Sequence, residues 1–151
     1  MKLAGTQNIP GPPERAYSLL TDPAVLVHTM PGLKMLEPQD DTEDAYRAVM
    51  EIGVAAIRGQ YQGQMQFTDR VPNQSYQLLL QGQGPGGFVT VQMQVTFEEQ
   101  GPETRIGYLG EANVGGTIAA VGQRMLSGIA NHIVHQFFAA INQAARTQDA
   151  R

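Results

Sequence analysis

No cysteine occurs among the 151 residues, which excludes disulfides, thiolate nucleophiles and cysteine-ligated metals but says little about compartment. Charge is also sparse. Charged residues make up 16% of the chain, the net charge is -4, and Lys and Arg nowhere cluster, which argues against nucleic acid as a main partner. No run of about 18 apolar residues is available to span a bilayer. After Lys2, polar residues arrive before the apolar core of a signal peptide can build. The expectation is a cytoplasmic protein of one domain over residues 1–146, with a polar tail at 147–151 that frays. At 42% hydrophobic residues, it has material for a core without staples.

Catalytic patterns are scarce as well. Ser18, Ser75 and Ser127 stand in no nucleophile elbow. Gly82-Gln83-Gly84-Pro85-Gly86-Gly87 is glycine-rich but leads into a strand rather than a helix, so it makes a loop and not a phosphate cradle. His132 and His135 are three apart on a helix, yet no Asp or Glu lies three or four residues from either, which leaves no metal set.

What the chain does have is alternation. In Gln60–Phe67 glutamine holds every even position, while Tyr61, Gly63, Met65 and Phe67 hold the odd ones. A strand points successive side chains to opposite faces, so a period of two describes a sheet with one dry and one wet face. Tyr46, Ala48, Met50 and Ile52 repeat the pattern, as do Tyr76, Leu78 and Leu80. Val89 to Phe97 and Ile106 to Val114 continue it, and the carboxylates Glu51, Glu98 and Glu111 fall on the wet side. The dry face therefore lacks the paired carboxylates of a glycosidase.

Leu3–Ile9 reads as a first strand, and prolines at 12 and 13 open a helix to about Leu20. Asp22 caps a second short helix with Pro23 at its first position, running to about Thr29. Leu33–Pro38 begins a run of six strands joined by short turns, which implies antiparallel neighbours. Gly115-Gly116 ends the last strand, and Thr117 is expected to cap a helix to roughly Ala145, on the order of 40 Å long. Steps of about 100° place Ile118, Gly122, Met125, Ile129, Ile133, Gln136 and Ala140 on one stripe, expected to face the sheet. Val134, Phe138 and Ile141 then lie opposite, against the N-terminal helices, another protein or a bilayer. Gly122 and Gly128 each cost about 1 kcal/mol of helix propensity, a cost easier to explain if something needs the space or the close approach there. One curved antiparallel sheet gripping one helix, an α+β fold, satisfies this order.

Met30-Pro31-Gly32, the Gly63 strand, the segment Gly115-Gly116-Thr117-Ile118-Ala119-Ala120-Val121-Gly122-Gln123-Arg124-Met125-Leu126 and the pair Phe137-Phe138 resemble the CoxG family of carbon monoxide dehydrogenase subunits. That family belongs to the START-like and Bet v 1-like helix-grip (SRPBCC) superfamily. The resemblance implies a curved antiparallel sheet of about seven strands wrapped around a long C-terminal helix, with two short helices after the first strand. It also implies an apolar cavity and an accessory role beside a molybdenum hydroxylase or carbon monoxide dehydrogenase-type redox enzyme. A quinone or similar hydrophobic molecule is the implied ligand, and no covalent cofactor is expected. Recruitment of the enzyme to the membrane is a further family role, making the protein peripheral at the inner membrane. Thr29 stands where members often carry cysteine, and many members have a C-terminal extension beyond the point corresponding to Arg151.

The candidate ligand-binding set is Tyr61, Gly63, Met65, Phe67, Met93, Tyr108, Gly110, Ala112, Met125, Ile129, His132 and Gln136. It mixes adaptable methionines with residues small enough to leave volume. An ordinary filled core is the alternative. His132 and Gln136 can hydrogen-bond a carbonyl oxygen, or be a satisfied histidine and a glutamine near the helix end. The glutamine face, polar yet uncharged, can be solvated or can pair with a second copy in a homodimer. The expected function is non-catalytic binding of a hydrophobic ligand. The alternatives are an assembly or membrane-recruitment factor for the same enzyme, and a cyclase or hydrolase on the same fold.

Overall fold

The computed structural model describes residues 1–54 and 57–149, with side chains through residue 147. The expected Gly53–Ile57 connection therefore lies partly outside the described residues. Strand β1 (Lys2–Pro10) leads into helices α1 (Pro13–Leu20) and α2 (Pro23–Thr29). Strands β2 (Leu33–Pro38), β3 (Ala45–Ile52), β4 (Gly59–Val71), β5 (Ser75–Gly84), β6 (Gly87–Gln100) and β7 (Glu103–Gly115) follow. A 3-10 segment (Gly116–Val121) then precedes helix α3 (Gln123–Asp149).

The seven strands form one antiparallel sheet in the order β1-β7-β6-β5-β4-β3-β2. From β2 onward each strand pairs with the next. The long connection is the one from β1, at one edge, to β2, at the other, and α1 and α2 make it. Their starts follow the local chemistry. Pro13 occupies the first turn of α1, where its missing N–H is not needed. The Asp22 side chain accepts from the Ala24 amide at 2.9 Å to cap α2.

Register places Gln62 opposite Gln83, Gln64 opposite Gln81 and Gln77 opposite Gln94, so the glutamines share the outer face. The opposite face carries two apolar clusters. One joins Tyr17, Phe67, Tyr76, Phe97, Ile9 and Ile106 to Phe138, Ile141 and Ala145 of α3. Its aromatic rings meet edge to face, with Tyr76 5.1 Å from Phe67 and Tyr17 5.4 Å from Phe97 between centroids. The other gathers Ile57, Tyr61 and Ile118, with Leu126 and Ile129 packed against it.

The helix corrects the sequence reading at two points. Thr117 caps no α-helix. It sits in the 3-10 segment, which closes at Gly122 with φ +99, and α3 begins only at Gln123. A positive φ suits glycine, so Gly122 is a break between helices and not a site of close packing. The helical phase cannot be carried through that break. Counted within α3, the buried stripe runs through Leu126, Ala130, Ile133, Val134, Phe137, Phe138 and Ile141, roughly a quarter turn from the expected one. Phe138 and Ile141, expected opposite the sheet, are buried against the core cluster that includes α1 residues. The helix also runs on past Ala145 to Asp149, taking in the start of the 147–151 tail.

Candidate functional site

Between the two clusters the sheet and α3 stand apart and enclose a cavity of about 370 Å³. Strands β3 to β7 supply one wall, including Ala48, Met50, Tyr61, Met65, Leu78, Leu80, Val91 and Met93. The opposite wall is Leu126, Ile129, Ala130, Ile133 and Phe137 of α3, with Leu20, Leu26 and Met30 closing it from the N-terminal helices. Among the described residues no Asp, Glu, Lys, Arg or His side chain lines it. Gln62, Gln64 and Gln81 border it although they belong to the glutamine face.

Of the candidate ligand-binding residues, Tyr61, Gly63, Met65, Phe67, Met93, Tyr108, Ala112 and Ile129 line the cavity. Four do not. Met125 is 52% exposed, and His132 and Gln136 are exposed on the outer side of α3, because the break at Gly122 shifts the helical phase. Gly110 is set back against its neighbour strand, where a Cβ would meet the Gln92 carbonyl and the Met93 backbone. Gly63 is likewise a point of close approach, since a Cβ there would collide with the Gln81 carbonyl. Gly128 has open space around it and no contact that requires it.

The lining that sequence reasoning left out comes from α1, α2, β2 and the true inner stripe of α3. The alternation of Tyr46, Ala48, Met50 and Ile52 already signalled the β3 contribution. Nothing in α1 or α2 marked Leu20 or Leu26 as lining rather than filler.

Besides the bordering glutamines, three tyrosines bring hydroxyls to the lining residues. Tyr61 donates to the Ile57 carbonyl at 2.7 Å and is satisfied locally, and burial raises its pKa above the usual range. The Tyr108 ring stacks on Phe138 at 5.9 Å, and its hydroxyl lies over Gly5 of β1. Tyr76 is 4% exposed, and its pKa is raised by burial first and by neighbouring Tyr17 second. Beside this end, Arg70 donates to the Tyr17 hydroxyl at 2.8 Å and to Asp44 at 3.1 Å, which keeps its cation engaged outside the cavity. Thr29 turns its hydroxyl back to the Val25 carbonyl, donating at 2.9 Å. Among the described residues no three His, Asp or Glu side chains converge.

A seven-stranded antiparallel sheet folded about one long helix, with an apolar hollow between them, defines a protein of helix-grip fold. Solved structures agree. A START superfamily protein from Mycobacterium smegmatis is 15% identical with a TM-score of 0.75, covering 97% of this chain and 98% of that one. The Zhui aromatase/cyclase from a Streptomyces species is 11% identical with a TM-score of 0.68, covering 97% and 93%. Likeness at these identities concerns the fold alone. A conserved protein from Geobacillus kaustophilus is nearer, at 34% identity and a TM-score of 0.93, covering 97% of this chain and 96% of that one. Residues 5–146 match the model of the CoxG family of carbon monoxide dehydrogenase subunits, and the chain belongs to that family. No curated protein matches the sequence significantly. Among the described residues, no helix is long and apolar enough to cross a membrane.

Proposed function

We propose that this chain is a non-catalytic carrier of a hydrophobic small molecule, a quinone in particular, that serves a molybdenum-containing redox enzyme of the carbon monoxide dehydrogenase type. The observation behind this reading is the 370 Å³ cavity with no charged side chain on its described lining. That volume lies within the range of about 300–1,000 Å³ typical of small-molecule sites. The Met1 α-ammonium at the border is engaged by the Ala112 carbonyl at 2.8 Å and by Glu111 at 3.9 Å. An ionised guest would therefore lose its hydration there without a free counter-charge, and a neutral apolar guest fits best. The family supports service to a redox enzyme, and a protein working in the cytoplasm and peripherally at the inner membrane would meet such a guest. A catalytic alternative on the same fold needs an acid, base or nucleophile at the cavity wall. The described lining offers tyrosine hydroxyls, three glutamine amides at its border and the Met1 amine already bonded to the Ala112 carbonyl.

Organic extraction of protein purified from its native host, followed by mass spectrometry, tests the reading. Recovery of a quinone in near-stoichiometric amount is expected. Protein that is consistently empty and has no affinity for added quinones would sink it.

A further inference from the structure

The cavity is polarised along its length. At the end nearest the 3-10 segment, Ile57, Tyr61, Ile118, Leu126 and Ile129 present carbon, and the Tyr61 hydroxyl is consumed by the Ile57 carbonyl. At the other end stands Tyr76, its ring held by Tyr17, Phe67 and Phe97. No buried polar side-chain atom is stranded among the described residues, yet no described group hydrogen-bonds the Tyr76 hydroxyl. The hydroxyl must therefore keep some accessible surface, in a residue that is only 4% exposed and lines the cavity. A guest oxygen that accepts from this hydroxyl makes a hydrogen bond worth about 0.5–1.5 kcal/mol, which a guest without oxygen cannot make.

We propose that the Tyr76 hydroxyl is the polar anchor of the cavity, binding an uncharged oxygen, carbonyl or hydroxyl, at one end of an otherwise apolar guest. The guest's hydrocarbon part then extends toward Ile57, Ile118 and Ile129. The anchor rests on the carrier reading and adds to it which side chain holds the guest's oxygen and which end of the cavity that oxygen occupies. The nearby Arg70 cation, already engaged by Tyr17 and Asp44, is not available to select a carboxylate.

Calorimetric titration of two probes tests this: menadione, and methylnaphthalene, which has the same ring skeleton without oxygens. Tyr76→Phe keeps the ring packing and removes a hydroxyl that no described protein group uses, so folding should persist. It should weaken menadione about five- to tenfold, the worth of one ordinary hydrogen bond, and leave methylnaphthalene unchanged. Tyr46→Phe, which removes a hydroxyl from a tyrosine outside the cavity lining, should change neither. Equal responses of both probes to Tyr76→Phe, or no response from menadione, would overturn the anchor while leaving the carrier reading intact. If the unaltered protein binds neither probe, the carrier reading fails and the anchor falls with it.

Discussion

Ala112→Phe is the sharpest perturbation of the cavity. Ala112 is 3% exposed, sits opposite Val91 on the inner face of β7, and lines the cavity directly. A benzene ring needs a hole on the order of 150 Å³. Placing one in the cavity would leave about 220 of its 370 Å³, below the ~300 Å³ at which small-molecule sites usually begin. A ring-bearing guest must then displace core side chains, and overpacking of that kind costs about 1–3 kcal/mol, a loss of affinity from about fivefold to about a hundredfold. The same ring buries apolar surface in an empty apolar space, so the thermal midpoint should hold or rise.

Titration calorimetry with menadione, paired with thermal unfolding, reads both quantities. Met125→Phe is the control, since Met125 is 52% exposed and outside the cavity, and it should bind as the unaltered protein does. A folded Ala112→Phe protein with unchanged affinity would refute the reasoning, because the guest would then sit elsewhere. Gly110→Leu is no substitute. A side chain there strikes the Gln92 carbonyl and Met93, so it tests strand packing instead of volume.

The helical phase makes a second prediction. Ile141→Ala should cost about 2–5 kcal/mol, as large-to-small changes in a core do, because Ile141 is fully buried. Met125→Ala should stay within about 0.5 kcal/mol, and urea unfolding that ranks the two in the reverse order would contradict the quarter-turn correction. Alkaline pH supplies a third. Burial and Tyr17 hold the Tyr76 pKa above its unfolded value of about 10. Above that pH the unfolded chain has released a proton that the folded chain keeps. The Tyr76 contribution is thus fully present below pH 10 and declines above it, by on the order of 1.4 kcal/mol per pH unit until Tyr76 itself ionises. Urea midpoints measured on either side of pH 10 should fall less in Tyr76→Phe than in the unaltered protein; equal declines would count against it.

Strands were legible because their signal is local. Alternation in Gln60–Phe67 needs no knowledge of distant residues, and β2 begins and ends where the pattern does. The Asp22-Pro23 start of α2 was equally local. Helix phase is a different kind of information, since an error at one residue turns every later side chain by about 100°. Gly122 was visible as a poor helix former, but its φ of +99 was not, and reading through it turned Met125, His132 and Gln136 inward. The apolar content of α3 carried the better signal: Leu126, Ile133, Phe137 and Ile141 mark the buried stripe without help from Ile118.

Glycine in the sheet proved to have a different meaning from glycine in the helix. The cavity and a depression on the outer face are both bordered by Ala48, Gly63, Gly82 and Val89. At Gly63 and Gly82, which pair across β4 and β5, the wall has no side chain on either face and is one backbone thick. Gly63 cannot be filled to thicken it, because the Gln81 carbonyl occupies the place of its Cβ. The hollow is bounded by main chain at Gly63, where no side chain fits, and is left open at Gly82, where a Cβ would meet nothing. Main chain alone closes its floor at this pair. The inward methionines and leucines around that floor leave the volume unfilled from the sides. A sheet built this way keeps space against α3 whatever the polar outer face does, which separates the cavity's existence from any partner that the glutamines meet.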